Sequence, residues 1–143
     1  LLQVIARQRA TEDRPFPLTQ REIGQRMRPP MSQPAVSKRL RYLEEQGVIV
    51  GYSADISFGR IGLPIKFFLQ VKPRPGTVNS TAKYVSQFRE VWDLHRTGED
   101  FSLFATVRTE SVAAYNAFLR SLYKSTDVID TRSQVSLEEW QVT

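Results

Sequence analysis

Two consecutive prolines, Pro29 and Pro30, stand between segments that each carry the punctuation of a separate helix. Neither proline can supply the backbone N–H that a continuous helix needs, so the chain must break there. Upstream, Thr19 is followed three residues later by Glu22, the spacing at which each side chain satisfies the other's orphan N–H. Downstream, Ser32 supplies an N-cap and Pro34 falls in the first turn, where its missing N–H costs nothing. Gly47 stands where a left-handed residue ends a helix. Two capped helices with a tight break between them describe a helix-turn-helix. Leu1, Leu2, Val4, Ile5 and Ala6 predict a short helix ahead of the pair, followed by a polar loop at residues 11–17. Residues 48–52 predict a short strand behind it, which would make the unit winged.

The second helix has two unlike faces. Val36, Leu40 and Leu43 recur at helical spacing and form the buried stripe. Pro34, Ser37, Lys38 and Arg41 follow at i, i+3, i+4 and i+7, a face with two cations, a small hydroxyl and little bulk. Such a face can approach a phosphate backbone and base edges, as the second helix of a helix-turn-helix does in a major groove. Taken alone, a solvated helix with ordinary surface cations explains it as well. The candidate DNA contacts are Ser32, Gln33, Pro34, Ser37, Lys38 and Arg41. Gln33 offers an amide to adenine, and Lys38 or Arg41 reaches guanine or phosphate. Arg39 points to the side, toward backbone phosphate, and Arg21, Arg26 and Arg28 are placed to clamp the flanking strand. Tyr52 reads equally as a packing residue or a wing contact. The charge distribution favours a polyanion: residues 1–51 hold 9 Lys/Arg against 5 Asp/Glu, and residues 52–143 hold 11 against 10.

Residues 53–64, SADISFGRIGLP, lack a helical period and read as a linker. The predicted organisation is a helix-turn-helix domain at 1–52, the linker at 53–64 and a second domain at 65–143. That second domain predicts a strand at 65–72 and a helix at 79–89, with Ala82, Val85 and Phe88 inward and Ser80 or Thr81 as cap. A strand at 91–95, a turn at 98–100 and a strand at 102–108 follow. A helix at 111–125, striped by Val112, Tyr115, Leu119 and Leu122, leads through a turn at 126–131 to a last strand at 132–137. Strand, helix, strand, strand, helix, strand is the ferredoxin-like βαββαβ order, an antiparallel sheet with both helices on one face. The fold class is therefore α+β. Phe67, Gln70, Leu94 and Phe104 are the candidates to line the uncovered face, and dimerisation through it is expected.

Other chemistries find little support. There is no cysteine, which excludes disulfides and thiolate metal sites. No apolar run is long enough to span a membrane and no signal-peptide pattern is present, so a cytoplasmic protein is expected. The chain opens at Leu1, without Met, inside an apolar periodic segment, and a natural N-terminus is expected to precede it. His95 is the single histidine and belongs to no cluster of metal-ligand spacing, so it reads as structural. The neighbours Glu44–Glu45 and Glu138–Glu139 are read as solvated pairs, because adjacent helical residues do not face each other. No phosphate-cradling glycine pattern occurs. Trp92 and Trp140 read as core or interface. No catalytic residue, metal or cofactor is expected.

The stretch SQPAVSKRLRYLEEQGVIVGY at 32–52 resembles the Lrp/AsnC, or feast/famine, family of bacterial and archaeal transcription regulators. So do IGLP at 61–64, HRTG at 95–98, AYNAFLRSLY at 114–123 and VIDTRSQVSL at 128–137, and the resemblance covers essentially the whole chain. It implies a sequence-specific DNA-binding regulator, without enzymatic activity, that recognises near-palindromic double-stranded operators. It also implies homodimers that assemble further into octamers, and a C-terminal domain that binds a small effector, typically an amino acid, between subunits. The effector site it implies comprises His95, Thr97, Gly98, Glu99 and Asp100. The chain departs from the family in a longer RPPM turn, a shorter HRTG stretch and the loop after Gly98. Three residues past that glycine the family commonly has an aspartate, and here Phe101 stands there with Asp100 beside it. A different ligand, or none, fits these residues equally. The same scaffold also serves tetrapyrrole-pathway (sirohaem) decarboxylases, and a sensing or assembly module without DNA binding is a further alternative, against which the basic first half argues.

Overall fold

The computed structural model describes residues 18–140, which divide into two compact units, one ending at Ile56 and the other beginning at Ser57. The helix expected at residues 1–6 and the loop at 11–17 lie outside the described residues.

In the first unit α1 spans Gln20–Arg26 and α2 spans Gln33–Glu45. The capping box is complete: the Thr19 N–H donates to Glu22 Oε2 at 2.8 Å and the Glu22 N–H to Thr19 Oγ1 at 3.3 Å. Ile23, Val36 and Leu40 are buried together, with Leu18, Met31 and Ile49 packed against them. Leu43, at the same helical spacing, is half-buried and stands outside this cluster. The wing expected at residues 48–52 is not a strand. A strand is defined by its ladder, and among the described residues no other strand pairs with this segment; Val48, Val50 and Tyr52 stand exposed.

The second unit contains β1 (Ile65–Pro73), α3 (Val78–Ser86), β2 (Val91–Arg96), β3 (Leu103–Thr109), α4 (Val112–Leu122) and β4 (Val128–Val135). The strands lie in the order β2-β3-β1-β4 with every neighbouring pair antiparallel, which is the ferredoxin-like arrangement. Leu69, Val71, Leu103, Ala105 and Val107 point from the two central strands into a core closed by Val85 of α3 and Tyr115, Phe118 and Leu122 of α4. Both helices therefore cover one face of the sheet.

Pleating decides the rest, because successive residues of a strand face opposite sides. Phe67 lies on the helix side and stacks on Tyr115, ring centroids 3.7 Å apart, rather than on the open face. Leu94 pairs with Ala105 and also packs toward the core. Gln70 and Phe104 do lie on the open side, directly opposite each other, and Phe68, adjacent in sequence to Phe67, joins them there. The Phe68 and Phe104 rings are 6.0 Å apart and form the apolar centre of that face. Three boundaries also differ from expectation. α3 starts after Thr77, and Ser80 donates to the Thr77 carbonyl instead of capping. In α4, Ser111 caps the helix, Phe118 is buried and Val112 is exposed. The last strand begins at Val128, four residues ahead of the expected start. Neither tryptophan is in the core: Trp92 and Trp140 are both exposed.

Candidate nucleic-acid interface

The turn between α1 and α2 is held by backbone. The carbonyl of Gly24 accepts the N–H of Met27 at 3.3 Å and that of Met31 at 2.9 Å, drawing the turn back over α1. A Cβ at Gly24 would sit 2.1 Å from the Met31 carbonyl oxygen and 3.2 Å from Cγ2 of Val36. Only glycine permits that approach. Ser32 then starts α2, its Oγ accepting the Ala35 N–H at 3.4 Å, with Pro34 in the first turn. At the other end Gly47 adopts φ +71°. Its N–H reaches the Glu44 carbonyl at 3.1 Å, and the Val48 N–H reaches that of Leu43 at 2.9 Å. These paired bonds are the Schellman closure that satisfies the last carbonyls of a helix.

With Val36 and Leu40 inward, the other face of α2 is left to solvent. Ser32, Gln33, Pro34, Lys38, Arg39 and Arg41 are exposed and Ser37 is half-buried. Arg21 and Arg26 on α1 and Arg28 in the turn are exposed as well. Among the described residues no carboxylate lies within ion-pair distance of any of these six cations. The nearby acid Glu44 is engaged elsewhere: it accepts the Tyr52 hydroxyl at 2.7 Å, and this bond raises the phenol's pKa. Tyr52 is thus a tie between the outgoing chain and the end of α2. On one helix a row of cations and polar groups stands exposed and, among the described residues, without ion pairs, which suits a polyanion contact.

The residues expected at an effector site divide. Thr97, Gly98, Glu99 and Asp100 line a recess of about 440 Å³ in the second unit, together with Lys72 and Arg96. The loop is closed by the Thr97 N–H donating to the Ser102 carbonyl at 2.7 Å and the Thr97 hydroxyl to that of Phe101 at 3.2 Å. His95 does not line the recess; it lies on the open sheet face opposite Phe104, with Nε2 3.9 Å from an Asp93 oxygen. Phe101 is buried, with the guanidinium of Arg132 4.0 Å from its ring centroid. The two cations that line the recess were not singled out from the sequence; Arg96 adjoins the loop, whereas Lys72 comes from β1 and reaches it only through the fold. Among the described residues no group of three or more His, Asp or Glu side chains converges as a metal site.

A capped helix-turn-helix followed by a separate βαββαβ unit defines a helix-turn-helix transcriptional regulator. The family model described as the Lrp/AsnC ligand binding domain matches residues 66–142. An uncharacterized HTH-type transcriptional regulator, YezC of Bacillus subtilis (strain 168), is 30% identical over 102 residues, spanning 71% of this chain and 70% of that protein. The chain belongs to the Lrp/AsnC family. Solved structures agree in fold. A feast or famine regulatory protein from M. tuberculosis complexed with L-methionine matches with a TM-score of 0.69 and 27% identity, covering 78% of this chain and 76% of that one. AsnC from E. coli matches with a TM-score of 0.75 and 17% identity, covering 99% of this chain and 89% of that one. No helix among the described residues is long and apolar enough to cross a membrane.

Proposed function

We propose that this regulator acts in the cytoplasm as a sequence-specific DNA-binding homodimer without enzymatic activity. Residues 1–52 would read the DNA, 53–64 link, and 65–143 sense a ligand and oligomerise. The observation that carries the reading is the outer face of α2, open to solvent and without ion pairs among the described residues, with Ser32, Gln33, Pro34, Ser37, Lys38, Arg39 and Arg41, flanked by Arg21 and Arg28. Base contacts from this face supply discrimination and phosphate contacts much of the affinity. Dimerisation through the open sheet face around Phe68 and Phe104, with further assembly to octamers, would present two such helices about one helical turn apart, roughly 34 Å, and favour near-palindromic operators. An amino-acid-like effector at Thr97, Gly98, Glu99 and Asp100 is supported by the recess and by the methionine complex of the M. tuberculosis relative.

Fluorescence anisotropy on short genomic duplexes across a salt series tests this. Tight binding to a subset of duplexes, weakening steeply with salt, is expected. Lys38→Ala and Arg41→Ala should each weaken operator binding by about 1–3 kcal/mol. Unchanged affinity in the double variant would remove α2 as the reading helix. Equal weak binding to all duplexes would leave a sensing or assembly module in its place.

A further inference from the structure

Between Gly51 and Arg60 every residue is exposed except Phe58, which is half-buried. Phe58 is therefore where the chain that leaves the first unit takes hold of the second. Its ring lies on the Arg108 guanidinium, 3.9 Å from centroid to Cζ, and meets Trp92 edge-on at 4.8 Å. Around it the chain makes a compact turn: the Arg60, Gly62 and Leu63 N–H groups donate to the carbonyls of Ser57, Gly59 and Phe58.

The same guanidinium is claimed from the opposite end of the sequence. After β4 the chain leaves the sheet at Ser136, whose N–H donates to the Lys66 carbonyl at 2.8 Å, and runs on as residues 136–140 without regular structure. Glu139 in this strap accepts from Lys66 Nζ at 3.2 Å and from Arg108 at 3.4 Å. Lys66 and Arg108 are register partners on β1 and β3, so one carboxylate spans two strands. The Arg108 side chain is only 12% exposed while that of Glu139 is 62% exposed. The hydrogen bond from Lys66 holds the Glu139 carboxyl below the usual range, so it stays charged near neutrality.

A guanidinium on a flexible stem has two things to lose when it is ordered, its rotamers and its hydration. Once Glu139 has fixed the plane, Phe58 can lie on it at less entropic cost, and the reverse holds equally. We propose that the C-terminal strap and the second half of the linker are coupled through Arg108, so that docking of Glu139 holds Phe58, and with it the turn at residues 57–63, in place. Coupling of this kind is reciprocal by thermodynamic necessity.

Hydrogen exchange on the full chain tests it, with Glu139→Gln and Phe58→Leu as separate variants. Glu139→Gln should speed exchange at Ser136 and, in parallel, at Arg60, Gly62 and Leu63 by about two- to five-fold, the size that an exposed ion pair supplies. Phe58→Leu should in turn speed exchange at Ser136. The β1–β3 ladder should be unchanged in both. A loosened strap with residues 60–63 unaltered would overturn the coupling, as would acceleration spread equally into the ladder.

Discussion

Among the described residues the helix-turn-helix unit closes around three buried apolar side chains, Ile23, Val36 and Leu40, whereas the sheet unit closes around eleven. Burial stabilises in rough proportion to apolar area removed from water, and the described part of the helix-turn-helix unit adds backbone devices to that burial. The sheet unit has side chains to spare. The smaller one leans on backbone devices: the Thr19–Glu22 box, the contact between Gly24 and Met31, the Ser32 cap and the Gly47 closure. Apart from the Ser32 cap, whose hydroxyl belongs to the outer face of α2, each of these satisfies donors or acceptors without using that face. Helix ends secured in this way leave most of the outer side of α2 open to a partner.

Three substitutions probe this contrast. Leu69 is fully buried at the centre of β1, and Leu69→Ala should cost the sheet unit about 2–5 kcal/mol in chemical denaturation, through lost burial and an unfilled cavity. Gly24→Ala should be the worst small change in the other unit. The added methyl meets the Met31 carbonyl oxygen, which is backbone and cannot swing aside, and overpacking of this kind costs about 1–3 kcal/mol. Amide protection at Met31 and Val36 should fall, while the sheet unit's unfolding is unchanged. Ser32→Ala removes one cap bond and should cost about 1 kcal/mol, read as fraying of the first turn of α2. If Ser32→Ala proved as costly as Leu69→Ala, the division between core-held and cap-held units would be wrong. If Gly24→Ala proved silent, the turn would owe its shape to something other than that close approach.

Helix ends and element order were legible in the sequence because they are local. A threonine three residues before a glutamate, a serine before a proline and a glycine after a polar turn act through bonds of a few residues' reach, and the structure has all three. The buried stripe of α2 was legible for the same reason as far as Leu40, since spacing on a helix converts directly into a face. Sheet faces were less so. In IKFFLQVK two phenylalanines are adjacent, so one must be inside and one outside, and only the pairing of β1 with β3 and β4 decides which. Phe67 was assigned to the wrong side, although strand alternation puts it on the face opposite to Gln70, and Leu94 was misplaced because its side depends on its pairing with Ala105. The strand at 48–52 was inferred from composition, but a strand also needs a neighbour. Gly24 drew no expectation from the sequence, because the atom it makes room for belongs to Met31. Arg108 gave no signal either: its two contacts come from residues 58 and 139, which meet only when the sheet is formed. For the recess at Thr97 to Asp100, the loop was visible in the sequence and the contribution of Lys72, from a different strand, was not.

The separation of α2 into Val36 and Leu40 on one side and Pro34, Lys38 and Arg41 on the other has a consequence for descent as well as for folding. Letters on the outer side carry little of the unit's stability, since substitutions at exposed positions away from such devices usually change it by only about half a kilocalorie per mole. A lineage can therefore rewrite them one at a time, passing through intermediates that all fold. What the molecule is suited to contact can drift or be selected independently of its architecture, and the scaffold becomes a page on which different addresses can be written.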